Sequence, residues 1–158
     1  MLLSIDQSIS CTGITIFSDG ELIFFECIKT DKETGSNVFR INLIANRILE
    51  LYEQYKCNSV VCEGLAYGSV GDATRNLAAL LGVIEDRMFE LGVDTIPKMT
   101  PTSVKKHAGG GKFSKKEMFN ALPDDIQKLF LAKHARTSGS YDLADSYWIG
   151  QLFISQAS

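Results

Sequence analysis

The sequence lacks the features that mark membrane, secreted or low-complexity proteins. No apolar run approaches the roughly 20 residues needed to cross a bilayer, and no basic segment followed by a long apolar stretch opens the chain. We therefore expect no membrane span and no signal peptide. Internal repeats, linkers and low-complexity tails are also missing. The 158 residues, 45% hydrophobic and 22% charged, predict one soluble globular domain (residues 1–158).

Paired-cysteine motifs are missing as well. Of the four cysteines, at positions 11, 27, 57 and 62, none forms a CxxC pair. Cys11, Cys27 and Cys62 lie in or beside strand-like segments. We predict that the cysteines are reduced residues of a cytosolic protein, and not disulfides or zinc ligands.

The chain also lacks a Walker A phosphate-binding loop. The segment GGGK, residues 109–112, is followed by Phe113, so the GxxxxGK[ST] spacing is not formed. This excludes a P-loop nucleotide site, and we expect no small-molecule cofactor.

What the sequence contains is a regular series of strand and helix patterns. Three strand-like runs open the chain, with the turn signal Ser18-Asp19-Gly20 between the second and the third. Helical spacing of apolar residues then alternates with two further strands, at residues 59–63 and 94–99, before several helices follow. The pattern predicts an α/β fold with a five-stranded mixed sheet, three antiparallel strands followed by two parallel ones, flanked by helices.

Four acidic residues occupy positions where acids are unusual. Asp6 and Glu63 end strand-like runs that should be parallel neighbours, so both should lie at the same edge of the sheet. Asp142 and Asp145 share the apolar face of the last helix, which should pack against the sheet. We expect all four carboxylates to converge.

Converging carboxylates repel one another unless protons or cations compensate their charge. Oxygen ligands suit Mg²⁺ or Mn²⁺, and two such ions can activate water and stabilise a leaving oxygen in phosphodiester cleavage. The acids therefore indicate a divalent-metal site with two ions.

The net charge of −3, averaged over the whole chain, hides a strongly basic segment. Between Lys98 and Lys116 the chain has six lysines, His107, a Gly-Gly-Gly stretch and no acid. Such a loop beside an acidic metal site is typical of proteins that bring a polyanion to bound metals.

These segments together resemble the RuvC family of Holliday-junction resolvases. The resemblance is carried by SIDQSISCTG, VVCEG, VKKHAGGGKFSKKEMF and YDLADSYWIG, in the family's order and over nearly the whole chain. It implies a ribonuclease-H-like fold and a homodimer that cuts two strands of a four-way DNA junction with divalent metal. The short chain is compatible with a bacteriophage member acting in an infected bacterial cytoplasm.

The resemblance also assigns residues. The catalytic and metal-binding acids would be Asp6, Glu63, Asp142 and Asp145. Lys105 and Lys116 resemble the family's catalytic lysines, and Lys115 competes with Lys116 for the second role. Further DNA contacts are expected from Tyr67, Arg75, Asn76, Lys105, Lys106, Lys112, Lys115 and Lys116. The helix with Leu77, Leu80, Leu81 and Ile84 resembles the family's dimer-forming segment. Helical periodicity alone, however, predicts that this apolar stripe packs in the core of one subunit.

Three alternatives stay open. A ribonuclease-H-like enzyme could act on RNA or RNA–DNA hybrids, which would require recognition of the 2′-hydroxyl. The DQSISCTG hairpin could instead belong to an actin- or Hsp70-like ATPase lobe, but Glu63 and the DxxD helix would then have no role. The chain could also be a DNA-binding module without chemistry, and replacing the acids would then leave its function intact.

Overall fold

A five-stranded mixed sheet forms the centre of this computed structural model, which describes residues 1–66, 68 and 70–158 without the side chain of Ser138. The strands are β1 (Leu2–Asp6), β2 (Cys11–Ser18), β3 (Glu21–Lys29), β4 (Ser59–Glu63) and β5 (Lys98–Met99), in the order β3-β2-β1-β4-β5. Strands β1, β2 and β3 pair antiparallel, whereas β4 and β5 extend the sheet in parallel. The predicted α/β architecture is confirmed.

The last strand is shorter than predicted. Residues 94–99 were expected to pair, but only Lys98 and Met99 do so. Pro97 accepts a hydrogen bond from Cys62 through its carbonyl, yet it has no N–H to donate to the ladder. Strand β5 therefore begins only after the proline.

Helices cover both faces of the sheet. They are α1 (Asn37–Gln54), α2 (Asp72–Glu90), α3 (Pro101–Ala108), α4 (Lys115–Asn120), α5 (Asp124–Lys133) and α6 (Tyr141–Ala157). Residues Arg136–Ser140 form a π-helical turn before α6. No helix in the described residues is long and apolar enough to cross a membrane.

Alternation along the strands divides the core into two clusters. On one face, Leu3 and Ile5 of β1 pack with buried residues of α1 and α2. On the other face, Leu2 of β1 and Val61 of β4 pack with buried residues of α3, α4, α5 and α6. Odd-numbered residues of β1 therefore face α1 and α2, and even-numbered residues face α6.

The cysteine prediction was wrong for one pair. Cys11 and Cys27 form a disulfide, while Cys57 and Cys62 are free and buried. The register pairs Gly13 with Cys27, so Cys11 lies diagonally across the hairpin from Cys27, with a Cα–Cα separation of 6.1 Å. This separation suits a disulfide. Cysteine spacing along the sequence cannot reveal it, because the pairing depends on the strand register.

Candidate active site

Two of the predicted acids end neighbouring parallel strands. The register of β1 and β4 pairs Ile5 with Cys62, so Asp6 and Glu63, the next residues, lie side by side at the carboxyl edge. Alternate residues of a strand project to the same face of the sheet, so Asp6 projects to the face of Leu2 and Ser4. Glu63 projects to the same face as Val61. Both acids therefore project towards α6, as the sequence predicted.

Close backbone contact brings α6 onto this edge. Gly13, the β2 partner of Asp6, lies so near the Asp142 carbonyl that an added Cβ would overlap it. Further along α6, Ser4 Oγ donates a hydrogen bond of 2.7 Å to the Ser146 carbonyl. The helix is thereby held with the side chains of Asp142 and Asp145 at the end of β1.

The four acids line one open cavity of about 300 Å³. Two ammonium groups, those of Lys105 on α3 and Lys115 on α4, line the same cavity. Four carboxylates against two lysines leave the cavity acidic when every group is ionised. It is therefore a site that favours additional cations.

Burial raises the pKa of three of these acids, Asp6, Glu63 and Asp145. Burial raises the pKa of Asp6 well above its usual value, and the charges of Asp145 and Glu63 raise it further. Burial, followed by the charge of Asp145, raises the pKa of Glu63 to about 7. Burial also raises the pKa of Asp145 to about 6, and Lys115 opposes this shift. Each shift reports that the site disfavours uncompensated negative charge.

The neighbouring lysines Lys115 and Lys116 lie in different environments. Lys115 Nζ is 3.4 Å from Asp142 Oδ1 and 3.8 Å from Asp145 Oδ2. Burial lowers the pKa of Lys115, but the carboxylates of Asp142, Asp145 and Asp6 outweigh it and raise the pKa overall. Lys116 is exposed and does not line the cavity, because adjacent helical residues point about 100° apart.

The start of α4 explains which lysine reaches the acids. Ser114 caps the helix through a reciprocal capping box with Glu117, which makes Lys115 the first helical residue. Trp148 of α6 donates a hydrogen bond of 2.9 Å to the Met118 carbonyl, which ties α4 to α6. These two contacts fix Lys115 above the acids.

The donor set suits a hard divalent cation. Four carboxylates supply only oxygen ligands, which Mg²⁺ and Mn²⁺ prefer. The raised pKa values of Asp6, Glu63 and Asp145 show that added positive charge would be favourable. Within the described residues, however, no three of these acids have ligand oxygens all within 4.8 Å of one another. The cluster is wider than a closed metal site, as expected for like charges separated by a lysine.

A tighter group lies next to it. Sulfurs of Cys11 and Cys27 and a carboxylate oxygen of Asp142 lie within 4.8 Å of one another. The two sulfurs form the disulfide, so they are not thiolate ligands. This group therefore does not replace the four-acid cavity as the candidate metal centre.

The remaining predicted DNA-binding residues lie outside this cavity. Lys106 and Lys112 are exposed, and Arg75 forms an exposed ion pair of 3.3 Å with Asp72. Asn76 lines a second cavity near the N-terminus of α2. Tyr67 lies outside the described residues.

The leucine stripe of α2 is mostly internal. Leu80, Leu81 and Ile84 are buried in the core formed with α1 and β1, and Leu77 is half-buried. Periodicity predicted this packing correctly. Contacts between subunits through α2 would have to use its other, exposed face.

Sequence reasoning missed two polar residues beside the acids. Gln7 follows Asp6, is 5% exposed and donates a hydrogen bond of 2.5 Å from Nε2 to the Glu63 carbonyl. Ser8 lines the acidic cavity as well as the second cavity. Their position directly after the β1 acid was the only signal in the sequence.

The comparison with known proteins finds similar folds but no similar sequence family. No family profile and no curated protein matches the sequence. A Thermus thermophilus RuvC structure is similar at 22% identity and a TM-score of 0.72, covering 99% of this chain and 94% of that one. The complex of T. thermophilus RuvC with a Holliday junction substrate is similar at 20% identity and a TM-score of 0.75, covering 99% of this chain and 93% of that one. The chain has the RuvC fold, so the predicted ribonuclease-H-like architecture is confirmed.

Proposed function

We propose that this protein is a metal-dependent endonuclease that resolves four-way and other branched DNA. The observation that carries the proposal is the convergence of Asp6, Glu63, Asp142 and Asp145 on one cavity at the carboxyl edge of the sheet. The similarity to RuvC with a bound Holliday junction supports the choice of substrate. One nuclease domain spanning residues 1–158 would carry the activity.

The acids would hold the metal and orient the attacking water. Mg²⁺ or Mn²⁺, in a two-ion arrangement, would supply a nucleophilic hydroxide and stabilise the leaving oxygen. Asp6 and Glu63 are held by the ends of two paired strands, so their positions vary little during the reaction. Asp142 and Asp145 would complete the ligand set from the first turns of α6.

The lysines would balance charge at the scissile phosphate. Lys115 lies against Asp142 and Asp145, where its ammonium can compensate those acids before DNA arrives. When a phosphodiester enters the cavity, Lys105 and Lys115 would approach its oxygens from α3 and α4. Positive charge held there would stabilise the charge that builds up in the transition state.

The exposed lysines would bind the DNA flanks. Lys106, Lys112 and Lys116 lie on or beside the glycine-rich segment between α3 and α4. Contacts of these side chains with phosphates would position the branched DNA without reading its sequence. Arg75 would add a similar contact at the start of α2, and Tyr67 a stacking contact.

Symmetric cutting of two strands requires two active sites, so we propose a homodimer. Light scattering of the purified protein would test this directly, with twice the chain mass of 17.4 kDa as the expected result. A monomer that nicks only one strand of a junction would contradict paired cutting.

A cytoplasmic location in a bacterium or a phage-infected bacterium is part of the same proposal.

A panel of four nucleic-acid substrates tests which of them the protein cuts. Labelled four-way junction, fork, linear duplex and RNA–DNA hybrid would be incubated with Mg²⁺ or Mn²⁺ and either the wild type or Glu63→Gln. We expect cleavage of the branched DNAs only, with no cleavage by the variant. Cleavage of the hybrid alone would favour the ribonuclease alternative, and no cleavage of any substrate would contradict a nuclease.

A further inference from the structure

The second cavity lies on the opposite face of the same sheet edge. It has a volume of about 340 Å³ and is lined by Gln7, Ser8, Arg40, Ala73, Asn76 and Leu77, among others. Gln7 directly follows Asp6, and alternate residues of a strand project to opposite faces, so Gln7 extends towards α1 and α2. Ser8 lines both cavities, which makes them neighbours. We call the second one the Arg40 cavity.

A buried arginine is its most unusual feature. Arg40 is 8% exposed, yet within the described residues it makes no ion pair with a carboxylate at 4.0 Å or less. The pKa of Asp31 is lowered first by hydrogen bonds from Thr34, and the charge of Arg40 is the smallest of the causes. A buried charge is ordinarily compensated by an opposite charge, so the cavity is suited to an anion.

The hydrogen bonds of Arg40 leave donor capacity for a ligand. Nε donates to Thr30 Oγ1 at 2.8 Å and Nη1 to Asn37 Oδ1 at 3.3 Å, while Nη2 donates to the carbonyls of Thr30 and Ile9 at 3.3 and 3.5 Å. Guanidinium carries five N–H donors, and these four bonds all go to neutral oxygens. Within the described part of the chain one Nη1 donor remains, and three of the four bonds are 3.3 Å or longer.

The N-termini of two long helices meet at this cavity. Asn37 and Arg40 belong to the first turn of α1, and Ala73 and Asn76 to the start of α2, with Asn37 Nδ2 3.4 Å from Asn76 Oδ1. Helix α2 begins after Gly71, which provides no side-chain cap for the first amides. Both helix ends contribute positive potential, and none of the described residues that line the cavity is a carboxylate.

The carboxamide of Gln7 is an independent sign that this cavity suits a polar ligand. Its Nε2 is bonded to the Glu63 carbonyl, but its Oε1 is buried and has no hydrogen-bond partner within the described residues. A buried polar atom without a partner destabilises a protein, because it loses its hydrogen bonds to water without replacing them. Gln7 lines the cavity, so a polar ligand there could provide the partner that is lacking.

We propose that the Arg40 cavity binds one nucleotide of the DNA strand next to the phosphate that is cut. Its phosphate would lie at Arg40 and the N-termini of α1 and α2. Its sugar and base would lie against Ile9 and Leu77, within reach of Gln7. The volume suits one nucleotide. This inference rests on the proposed function, because it assumes that a DNA strand crosses the edge of the sheet at Asp6.

The test fills the cavity without disturbing the core. Arg40→Ala would remove four hydrogen bonds and endanger folding, so Ala73, which is exposed and lines the cavity, is replaced by Leu and, separately, by Glu. Ala132→Leu, at an exposed position of α5, is the matched control. All proteins carry Glu63→Gln so that no DNA is cut, and binding of fluorescein-labelled (dT)10 is measured by anisotropy in Mg²⁺ at several salt concentrations.

We expect Ala73→Leu to weaken (dT)10 binding about tenfold and to reduce the salt slope by about one, because one phosphate contact is lost. Ala73→Glu should weaken binding more, while Ala132→Leu stays within about twofold. Unchanged binding by both Ala73 variants, or no (dT)10 binding by the Glu63→Gln protein itself, would overturn the proposal.

Junction cleavage is measured separately with Ala73→Leu in the wild-type background. If the wild type cuts junctions and both Ala73 variants bind (dT)10 normally, the nucleotide site is wrong and the nuclease proposal stands. If Ala73 variants lose (dT)10 binding and the wild type cuts nothing, the cavity binds a strand but the proposed function fails.

Discussion

The two adjacent lysines at the start of α4 differ only in where they point. Both side chains are exposed, but Lys115 contacts Asp142 and Asp145 and lines the acidic cavity, whereas Lys116 does not line it. We expect Lys115→Ala to slow single-turnover cleavage of a four-way junction by about 100-fold, because charge stabilisation at the phosphate is lost. Lys116→Ala is the matched control and should stay within about threefold at saturating protein. A larger effect at Lys116 than at Lys115 would contradict the assignment.

The acids predict how stability depends on pH. The pKa of Glu63 is raised from 4.5 to about 7 and that of Asp145 from 3.8 to about 6. Between the unfolded and folded values, the folded protein binds protons that the unfolded chain has released, so the free energy of unfolding falls as pH rises. The loss should amount to several kcal/mol, about 3 kcal/mol for each of the two carboxyl groups, and should extend over roughly pH 4 to 8.

Thermal unfolding in a metal chelator measures this effect. The midpoint should fall between about pH 5 and 7.5, and Glu63→Gln should flatten the fall because it removes one titrating group. Adding Mg²⁺ above pH 7 should raise the midpoint of the wild type more than that of the variant. Metal-free stability that increases with pH over this range would contradict the raised pKa values.

Single residues were only partly predictable from the sequence. Asp6 and Glu63 were recognisable because a carboxylate at the end of a buried strand is unusual. The choice between Lys115 and Lys116 depends on the first residue of α4, and sequence patterns locate helix ends only to within a few residues. The burial of Arg40 could not be predicted from the sequence, because its hydrogen-bond partners Ile9 and Thr30 lie on other segments of the chain.

At the scale of elements, the contact between α6 and β2 positions half of the candidate metal ligands. Gly13 lies beneath the backbone of Asp142, and backbone atoms cannot rotate away as a side chain can. Gly13→Ala should therefore displace α6, lower the free energy of unfolding by about 1–3 kcal/mol and reduce cleavage strongly. Thermal unfolding and junction cleavage would be measured together.

Gly82→Ala provides the control for this substitution. Gly82 lies inside α2, and an added Cβ would meet nothing within 4 Å. The change should raise the free energy of unfolding by about 0.5–1 kcal/mol, because alanine favours the helix. Equal effects of the two glycine substitutions would show that the α6 contact does not matter.

Elements with strong patterns were predicted well, and elements that depend on distant pairing were not. The alternation in β2 and β3 and the helical stripes of α1 and α2 need only local information. The open end of the hairpin could not be predicted in this way. The disulfide between Cys11 and Cys27 depends on the cross-strand register of β2 and β3, which local patterns do not define. Strand β5 was overpredicted because Pro97 limits its pairing.

At the scale of the whole molecule, charge is separated between an acidic cavity and an exposed basic segment. Lys106, Lys112 and Lys116 do not line the acidic cavity. We expect their joint replacement by Ala to weaken junction binding and reduce the slope of log affinity against log salt by about 2–3, with the cleavage rate at saturating DNA preserved.

Lysines elsewhere on the surface are the matched control for the charge change. Lys32, Lys56 and Lys128 are exposed and lie outside this segment. Their triple replacement removes the same charge but should leave the salt slope nearly unchanged. Similar slopes for the two triple variants would show that only net charge governs DNA binding.

The central claim is that the acidic edge of the sheet cuts branched DNA, and one measurement tests it most directly. A supercoiled plasmid with an extruded cruciform is incubated with Mg²⁺ and the wild type, Glu63→Gln or Glu53→Gln, an exposed acid of α1. Paired nicks across the cruciform give linear plasmid, so we predict linear product with the wild type and Glu53→Gln and none with Glu63→Gln. Linear product at the wild-type rate from Glu63→Gln, or none from the wild type, would contradict the claim.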